Sequence, residues 1–546
     1  MGRRRSQAEQ CRRSLLSAER GLMPKRSAPL AVCLVFPNTY HTGMSNLAVH
    51  TLYGILNTRT DCLCERSFCD EHLLGSSLET GSPLGAFHVI AFSISFELDY
   101  PNVPKTLLAA RVPLRATERN ESHPLIIAGG PCMFSNPEPL ADYIDACVIG
   151  EGEEAIGEVM TVVSKARENA FSRTATLREL SQIPGVYVPS LYNPVYSAKG
   201  ELVGMENRNG SGLPITGRVV ADLDEYPCAS VLVTPNTEFA NMFLVELGRG
   251  CRRNCRFCSA CHIYLRRNRS LDSLKNRILS ARGLSNTVGL VTSDLSDYPQ
   301  RDELLAFLLN TGFGFSVSSV RADFITEDLL AGMQASGQRT LTLAPETASA
   351  KLRVLTGKRI TAEALLSAVD LALNHSIINF RLYFMIGLPG EEDDDVEAIV
   401  ELAKLVRLRM RRAAKRSRKM GRLTVCTAPF VPKPFTPLES VAFADAAVLS
   451  RRIKLLRRGL ARVANTRLTL ESPRMARLQC VFARGDRTVA ALIEMIARGQ
   501  SLAQAMREFG DKLKTYTDAQ AESGCVRPWQ SITPPAAQNN KGLRKD

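Results

Sequence analysis

Between residues 236 and 430 the chain alternates short apolar runs with Leu- and Ala-rich stretches six times. The runs fall at 242–247, 287–292, 313–319, 339–344, 378–386 and 423–427, with helical stretches such as 271–284 and 361–373 between them. An apolar run, a helix and a second apolar run build parallel strands with the helix packed outside. Repeated six times, the pattern predicts a partial parallel barrel, whose chemistry collects at the carboxyl ends of its strands. The distinctive polar residues of this region fall at those ends.

Directly after the first run comes the loop Cys251-Arg-Arg-Asn-Cys255-Arg-Phe-Cys258, with Gly248 and Gly250 before it. Three thiols that close together hold three corners of an iron–sulfur cube and leave the fourth iron open to a small chelating molecule. The glycines let backbone pass close to a bulky cluster. A structural zinc site is the alternative, but zinc sites pair two-thiol knuckles, and no separate partner pair follows downstream. Cys261 would turn the centre into an inert four-thiol one; His262-Ile-Tyr264 reads instead as chain leaving the loop, with His262 beside the substrate rather than on the metal. Cys-x3-Cys-x2-Cys is the signature of the radical SAM enzymes, which this chain resembles. The resemblance implies a 4Fe-4S cluster on Cys251, Cys255 and Cys258, with S-adenosylmethionine (SAM) chelating the open iron. It also implies one-electron cleavage of SAM to methionine and a 5′-deoxyadenosyl radical, with the protein orienting the sulfonium.

Further SAM contacts follow from the same resemblance. Phe257 matches the aromatic residue whose backbone meets the adenine, and Ile386 and Gly387, in Ile386-Gly-Leu-Pro-Gly-Glu391, match the adenine-contacting glycine motif. Ser293 and Asp294 stand where the family has a Gly-Gly-Glu motif for the methionyl amine. Ser318 and Arg321 are placed toward the ribose or carboxylate, and Glu346 toward the ribose or amine. Arg353 suits the methionyl carboxylate, because a guanidinium binds carboxylates bidentately. For each polar residue the plainer reading is a helix cap or a surface ion pair.

Residues 29–165 also alternate strands and helices, and each strand ends in a polar or Gly-rich turn. These turns are Pro37-Asn-Thr-Tyr-His-Thr-Gly-Met-Ser45, Ser93-Ile-Ser-Phe-Glu97, Gly129-Gly-Pro131 and Gly150-Glu-Gly-Glu-Glu154. In an open parallel sheet ligands bind beyond the carboxyl ends of the strands. With Asn136-Pro-Glu-Pro139, these phrases resemble the cobalamin-binding domain that precedes the barrel in one large radical SAM subgroup. The resemblance implies a cobalamin pocket formed by Asn38, Ser93, Ser95, Gly129, Gly130, Gly150 and Glu151. It departs from many cobalamin domains in lacking the cobalt-ligating Asp-x-His-x-x-Gly, since His41 and His50 stand in another context. The alternative is a flavodoxin-like domain that shapes the substrate funnel. Cys62, Cys64 and Cys69 raise the question of a second cluster, as in the methylthiotransferases, but their spacing makes a poor ligand loop.

The expected fold is therefore α/β: a flavodoxin/Rossmann-like cobalamin-binding-type domain, then a partial (β/α)6 radical SAM barrel, then a mainly helical C-terminal region. The boundaries read as a basic disordered tail at 1–28, the first domain at 29–165, a bridging segment at 166–235, the barrel at 236–430, and helices with a disordered end at 431–546. Ser472-Pro-Arg474 and Arg484-Gly-Asp-Arg487, in the last region, recur in proteins of the same architecture.

The net charge of +14 suggests nucleic acid until it is mapped. Residues 1–26 carry eight Lys/Arg against two Glu, residues 404–422 carry ten with no acid, and the remainder is close to neutral. The second block suits the solvated end of a helix whose start is Glu391-Glu-Asp-Asp-Asp395. A small-molecule substrate is thus favoured over RNA, and a flavodoxin or ferredoxin is the expected electron donor. No run approaches the roughly 20 apolar residues that span a bilayer. Exposed cluster ligands point to a reducing cytoplasm. The function expected is SAM-dependent radical chemistry with cobalamin-dependent methyl transfer or a ring-forming rearrangement. The rivals are an RNA-modifying methylthiotransferase-like enzyme and a non-catalytic electron-transfer or scaffold protein.

Overall fold

Five apolar runs in the first third of the chain form a parallel sheet. The computed structural model describes residues 2–317, 319–520 and 526–539. Strands β1 (Leu30–Val35), β2 (Cys62–Ser67), β3 (Val89–Ser93), β4 (Leu125–Gly129) and β5 (Ala146–Val148) lie in the order β2-β1-β3-β4-β5. A short strand β6 (Val186–Tyr187) adds to β5 antiparallel. Helix α1 (Leu47–Thr58) joins β1 to β2, with the Asn46 side chain capping the Ala48 amide. Helix α2 (Ala155–Glu168) follows β5. The strands are buried almost throughout, which is why β1, β3, β4 and β5 read as unbroken apolar runs; β2 instead buries Glu65, Arg66 and Ser67 at its end. The order reverses between β1 and β3, the place where doubly wound sheets open a ligand crevice.

The barrel has two parallel parts. Strands β7 (Phe243–Glu246), β8 (Thr287–Val291) and β9 (Gly314–Val317) form one, and β10 (Thr340–Glu346), β11 (Asn379–Ile386), β12 (Leu423–Pro429) and β13 (Thr466–Leu470) form the other. A parallel bridge between Val320 and Leu343 links them. In β10 to β12 burial has period two. Leu341, Leu343, Phe380, Leu382, Phe384, Leu423 and Val425 enter the helix-covered core, while Thr342, Arg381, Tyr383, Thr424 and Cys426 lie on the opposite, inner face. Helix α3 (Asp393–Ser417) runs 25 residues from three aspartates to a basic last turn, as its charge pattern predicts.

Three regions depart from the expectation. Strand β13 is a seventh barrel strand in a region expected to be helical, because Thr466-Arg-Leu-Thr-Leu470 pairs with β12 through its backbone. The basic tail is helical over Gly2–Ala18 and is tied down by side chains. Arg12 donates to the carbonyls of Leu78 and Glu79 at 2.8 and 2.7 Å, and Glu19 pairs with buried Arg66 at 2.7 Å. The bridging segment contributes β6 and a hairpin, Tyr192–Tyr196 with Leu202–Asn207.

The C-terminal helices fold back onto the first sheet. Val481, Phe482, Val489, Ile493 and Phe509 belong to the same buried core as β1 to β5. No helix among the described residues is long and apolar enough to cross a membrane.

Candidate functional site

The cysteine loop leaves β7 at Glu246 and is held from two sides. Gly250, at φ +72, has no room for a side chain, since a Cβ there would lie 2.9 Å from the Arg266 Cα. On one side Asp294 and Asp297, just past β8, take the loop arginines. Arg253 reaches Asp294 at 2.9 Å and Asp297 at 3.1 Å, and the Arg252 amide donates to Asp297 at 3.0 Å. The Arg253 guanidinium also lies 4.3 Å from the Phe324 ring centroid. On the other side the Arg256 amide donates to the Thr356 carbonyl at 2.9 Å. Gly357, left-handed at φ +70, sits against Asn254 and Arg256 there.

Within this cradle Cys251, Cys255 and Cys258 converge, and Cys261 lies within hydrogen-bonding reach of all three. That contact lowers the three thiols, Cys258 to about 7, and raises Cys261. Lowered thiols at a partly buried loop suit a metal cluster, whose ligands are thiolates. The His262 ring nitrogen Nε2 sits 3.1 Å from the Cys255 carbonyl and so faces backbone.

The remaining expected SAM residues scatter in role. Ser293 lines a cavity described below. Asp294 is buried and fully used: one carboxylate oxygen takes Arg253, and the other takes the Ser296 amide and hydroxyl at 3.0 and 2.5 Å. The structure thus places Asp294 as an anchor of the cysteine loop. Ser318 lies outside the described residues. Arg321 pairs with Asp323 at 2.7 Å, and Arg353 donates to the Ala348 carbonyl at 3.0 Å, so both follow the plainer reading of ion pair and helix contact. Phe257 packs with Leu352, Leu388 and Phe430 beneath the glycine turn. Ile386 is fully buried, and the Gly387 amide donates to Glu391 at 2.6 Å. Glu346 ends β10 in the left-handed region at φ +67 and holds Lys358 at 2.8 Å. A non-glycine residue there is strained, and such strain concentrates at functional sites. Lys358 lowers the Cys258 thiol while Glu346 raises it, so both act at the cluster loop. Nothing in the sequence marks Lys358, whose position depends on the Gly357 turn.

A cavity of about 540 Å³ opens at the β1/β3 crevice and reaches the barrel. Ser93, Ser95, Gly129, Gly130, Gly150 and Glu151 line one wall, and Gly248, Gly250, Tyr264 and Ser293 the other. Asn38 lies outside it, because its side chain donates to Asp99 at 2.7 Å. Gly130 and Gly150 have φ of +102 and +94, and a Cβ on either would strike backbone at 2.6 Å or less. Leu34, Leu47, Leu52, Ile127, Phe134 and Ile156 make the floor largely apolar. No histidine is in the wall: His50 is buried beside the Met44 carbonyl at 3.0 Å, and His41 is exposed. An apolar floor and glycine turns that let a ligand approach the backbone fit a large, flat, mostly apolar group.

The two halves meet through charge: Arg249 reaches Glu151 at 3.4 Å and also pairs with Glu153, and Arg267 pairs with Glu151. Within the barrel, Glu246 takes Arg249 at 3.0 Å and Arg269 at 2.8 Å. Glu151 therefore lines the cavity and docks the barrel together. Among the other thiols, burial pushes Cys62 and Cys69 up to about 11 and Cys64 well above the ordinary thiol value. Protonated thiols are poor metal ligands.

The chain is 28% identical over 485 residues to an uncharacterised protein of Methanocaldococcus jannaschii, covering 87% of this chain and 94% of that one. It is 26% identical over 293 residues to an uncharacterised methyltransferase of Pyrococcus horikoshii, covering 51% of this chain and 57% of that one. The radical S-adenosylmethionine methyltransferase TsrM of Kitasatospora setae superposes with a TM-score of 0.48 at 15% identity, covering 75% of each chain. Residues 48–189 match the family of radical SAM proteins, N-terminal, and residues 245–403 match the radical SAM superfamily. With matches that together span more than half of its length, the chain belongs to the radical SAM superfamily.

Proposed function

We propose that this radical SAM enzyme uses cobalamin for methyl transfer or a ring-forming rearrangement on a small-molecule substrate. The cavity shared by the two halves carries the reading, because its wall runs from the Gly129 and Gly150 turns to Gly250, beside the first cysteine. When bound, the cluster would supply the electron that cleaves the sulfonium, and cobalamin a metal that carries a methyl group.

The residues of the chain would bind and orient. Cys251, Cys255 and Cys258 hold the cluster. Phe257 and the Ile386-Gly387 turn form the adenine side, and Glu346, braced by Lys358, meets the ribose or amine. Ser293 stands between the SAM side and the cavity. The apolar floor excludes water from the reacting groups, which strengthens each polar contact there. A flavodoxin or ferredoxin would deliver the electron, in a reducing cytoplasm. The name of the Pyrococcus horikoshii relative is compatible with methyl transfer.

Anaerobic reconstitution with iron, sulfide and hydroxocobalamin tests the reading. Desalted protein should keep cobalamin, seen by its visible absorbance, and should form 5′-deoxyadenosine from SAM under dithionite. Loss of cobalamin on desalting, with SAM cleavage intact, would remove the cobalamin part.

A further inference from the structure

The inner face of β10 to β13 carries a second hollow, remote from the cysteine loop, of about 760 Å³. That size falls within the usual range for small-ligand sites, roughly 300–1,000 Å³. It is lined by Arg381, Tyr383, Arg422, Cys426, Arg467 and Thr469. These residues stand on adjacent strands, since Arg381 pairs in register with Thr424 and Thr424 with Arg467, while Arg422 immediately precedes β12. Their neighbours along the strands, such as Phe380, Leu382 and Val425, are buried in the barrel core, so pleating puts the arginines on the opposite face, where they stay exposed to solvent.

The three arginines bring three positive charges to one concave face. Among the described residues Arg381, Arg422 and Arg467 make no ion pair. Glu471, just past β13, is felt at Cys426 but makes no ion pair with any of the three. Planar guanidinium groups grip carboxylate and phosphate oxygens two at a time, and hydroxyls such as those of Tyr383 and Thr469 complete such a shell.

We propose that this hollow binds a small polyanion, presenting two or more phosphate or carboxylate groups, as the anionic end of the substrate. The assignment rests on reading the barrel as the SAM-cleaving unit. Arg381 precedes Ile386 by five residues, about 16 Å along the strand at 3.3 Å per residue. Arg381 and the Ile386-Gly387 turn therefore share one strand, with the arginine toward its amino end.

Isothermal titration of the reconstituted protein with inorganic pyrophosphate and, separately, with citrate tests this directly. At least one should bind saturably, and which of them does so separates a phosphate ligand from a carboxylate one. Arg381→Ala with Arg467→Ala should weaken that binding about tenfold or more, whereas Arg381→Lys with Arg467→Lys, keeping charge without the planar fork, should weaken it less. Unfolding temperatures of both double variants check that they are folded. Absence of saturable binding by both probes would overturn the proposal, as would binding that the alanine pair leaves unchanged. Tighter binding of a short single-stranded RNA through the same arginines would also overturn it. The readout is heat of binding, so failure of SAM cleavage would count against the function proposed above and leave the anion result to stand or fall alone.

Discussion

Arg487 and Glu138, 349 residues apart in the chain, meet at 2.7 Å with the glutamate buried. Arg487 also donates to the Tyr187 hydroxyl at 2.9 Å and to the Tyr192 and Pro189 carbonyls at 3.0 Å. Beside it, Asn136 donates to the Ala483 and Gly485 carbonyls at 3.1 and 2.7 Å. Two phrases singled out in the sequence, Asn136-Pro-Glu-Pro139 and Arg484-Gly-Asp-Arg487, are the two halves of one clasp. Removing one partner of a buried pair leaves the other charge uncompensated, at a cost of about 3–5 kcal/mol. Arg487→Ala should therefore lower stability by about that much in denaturant unfolding, and Glu138→Gln with Arg487→Met should recover part of the loss.

Cys261 separates an open cluster from a closed one. Cys261→Ala should keep iron content and the SAM-induced change in the EPR signal of the reduced cluster, while Cys255→Ala should lose both. Loss of iron in the Cys261 variant would make it a ligand and the site non-catalytic.

Glu346 and Lys358 should matter for SAM rather than for metal. Glu346→Gln keeps the side-chain shape and removes the charge. It should lower 5′-deoxyadenosine formation by about tenfold, on the order of 1.4 kcal/mol, at unchanged iron content. A parallel fall in iron would show that the pair holds the loop instead.

Gly129 offers a way to fill the cavity without straining the chain. A Cβ there would meet Val148 at an ordinary 3.8 Å, unlike one on Gly130 or Gly150. Gly129→Leu should fold, and should abolish cobalamin retention while SAM cleavage without substrate persists.

Asp99 gives a pH signature. Burial pushes its carboxyl up to about 6, against the pull of the Asn38 amide. The folded protein then holds this proton more tightly than the unfolded chain does. Its contribution is fully present below about 3.8 and is lost as pH rises through about 6, at most about 3 kcal/mol. Asp99→Asn should flatten the difference in thermal stability between pH 4 and pH 7. An unchanged slope would place the titration elsewhere.

What the sequence shows and hides follows from what each feature depends on. Strands β1, β3 and β4 are buried on both faces, so they stand out as apolar runs, and the glycine turns nearby locate the crevice. Strand β13 alternates polar residues with two leucines and joins the sheet through backbone pairing, which leaves no run to notice. Asp294 sits at the expected strand end, yet its carboxylate is spoken for by Arg253, a pairing set by the loop's path. Lys358 reaches Glu346 only because Gly357 turns left-handed. The N-terminal helix reads as a charged tail because its hold depends on Arg66, Leu78 and Glu79, far along the chain.

Because Phe482, Val489 and Ile493 complete the core around β1 to β5, the early sheet must wait for residues far downstream. During synthesis the earlier half leaves the ribosome with greasy surface uncovered until those residues follow. Trimming the gene after the final barrel strand would therefore yield insoluble product rather than a smaller working enzyme.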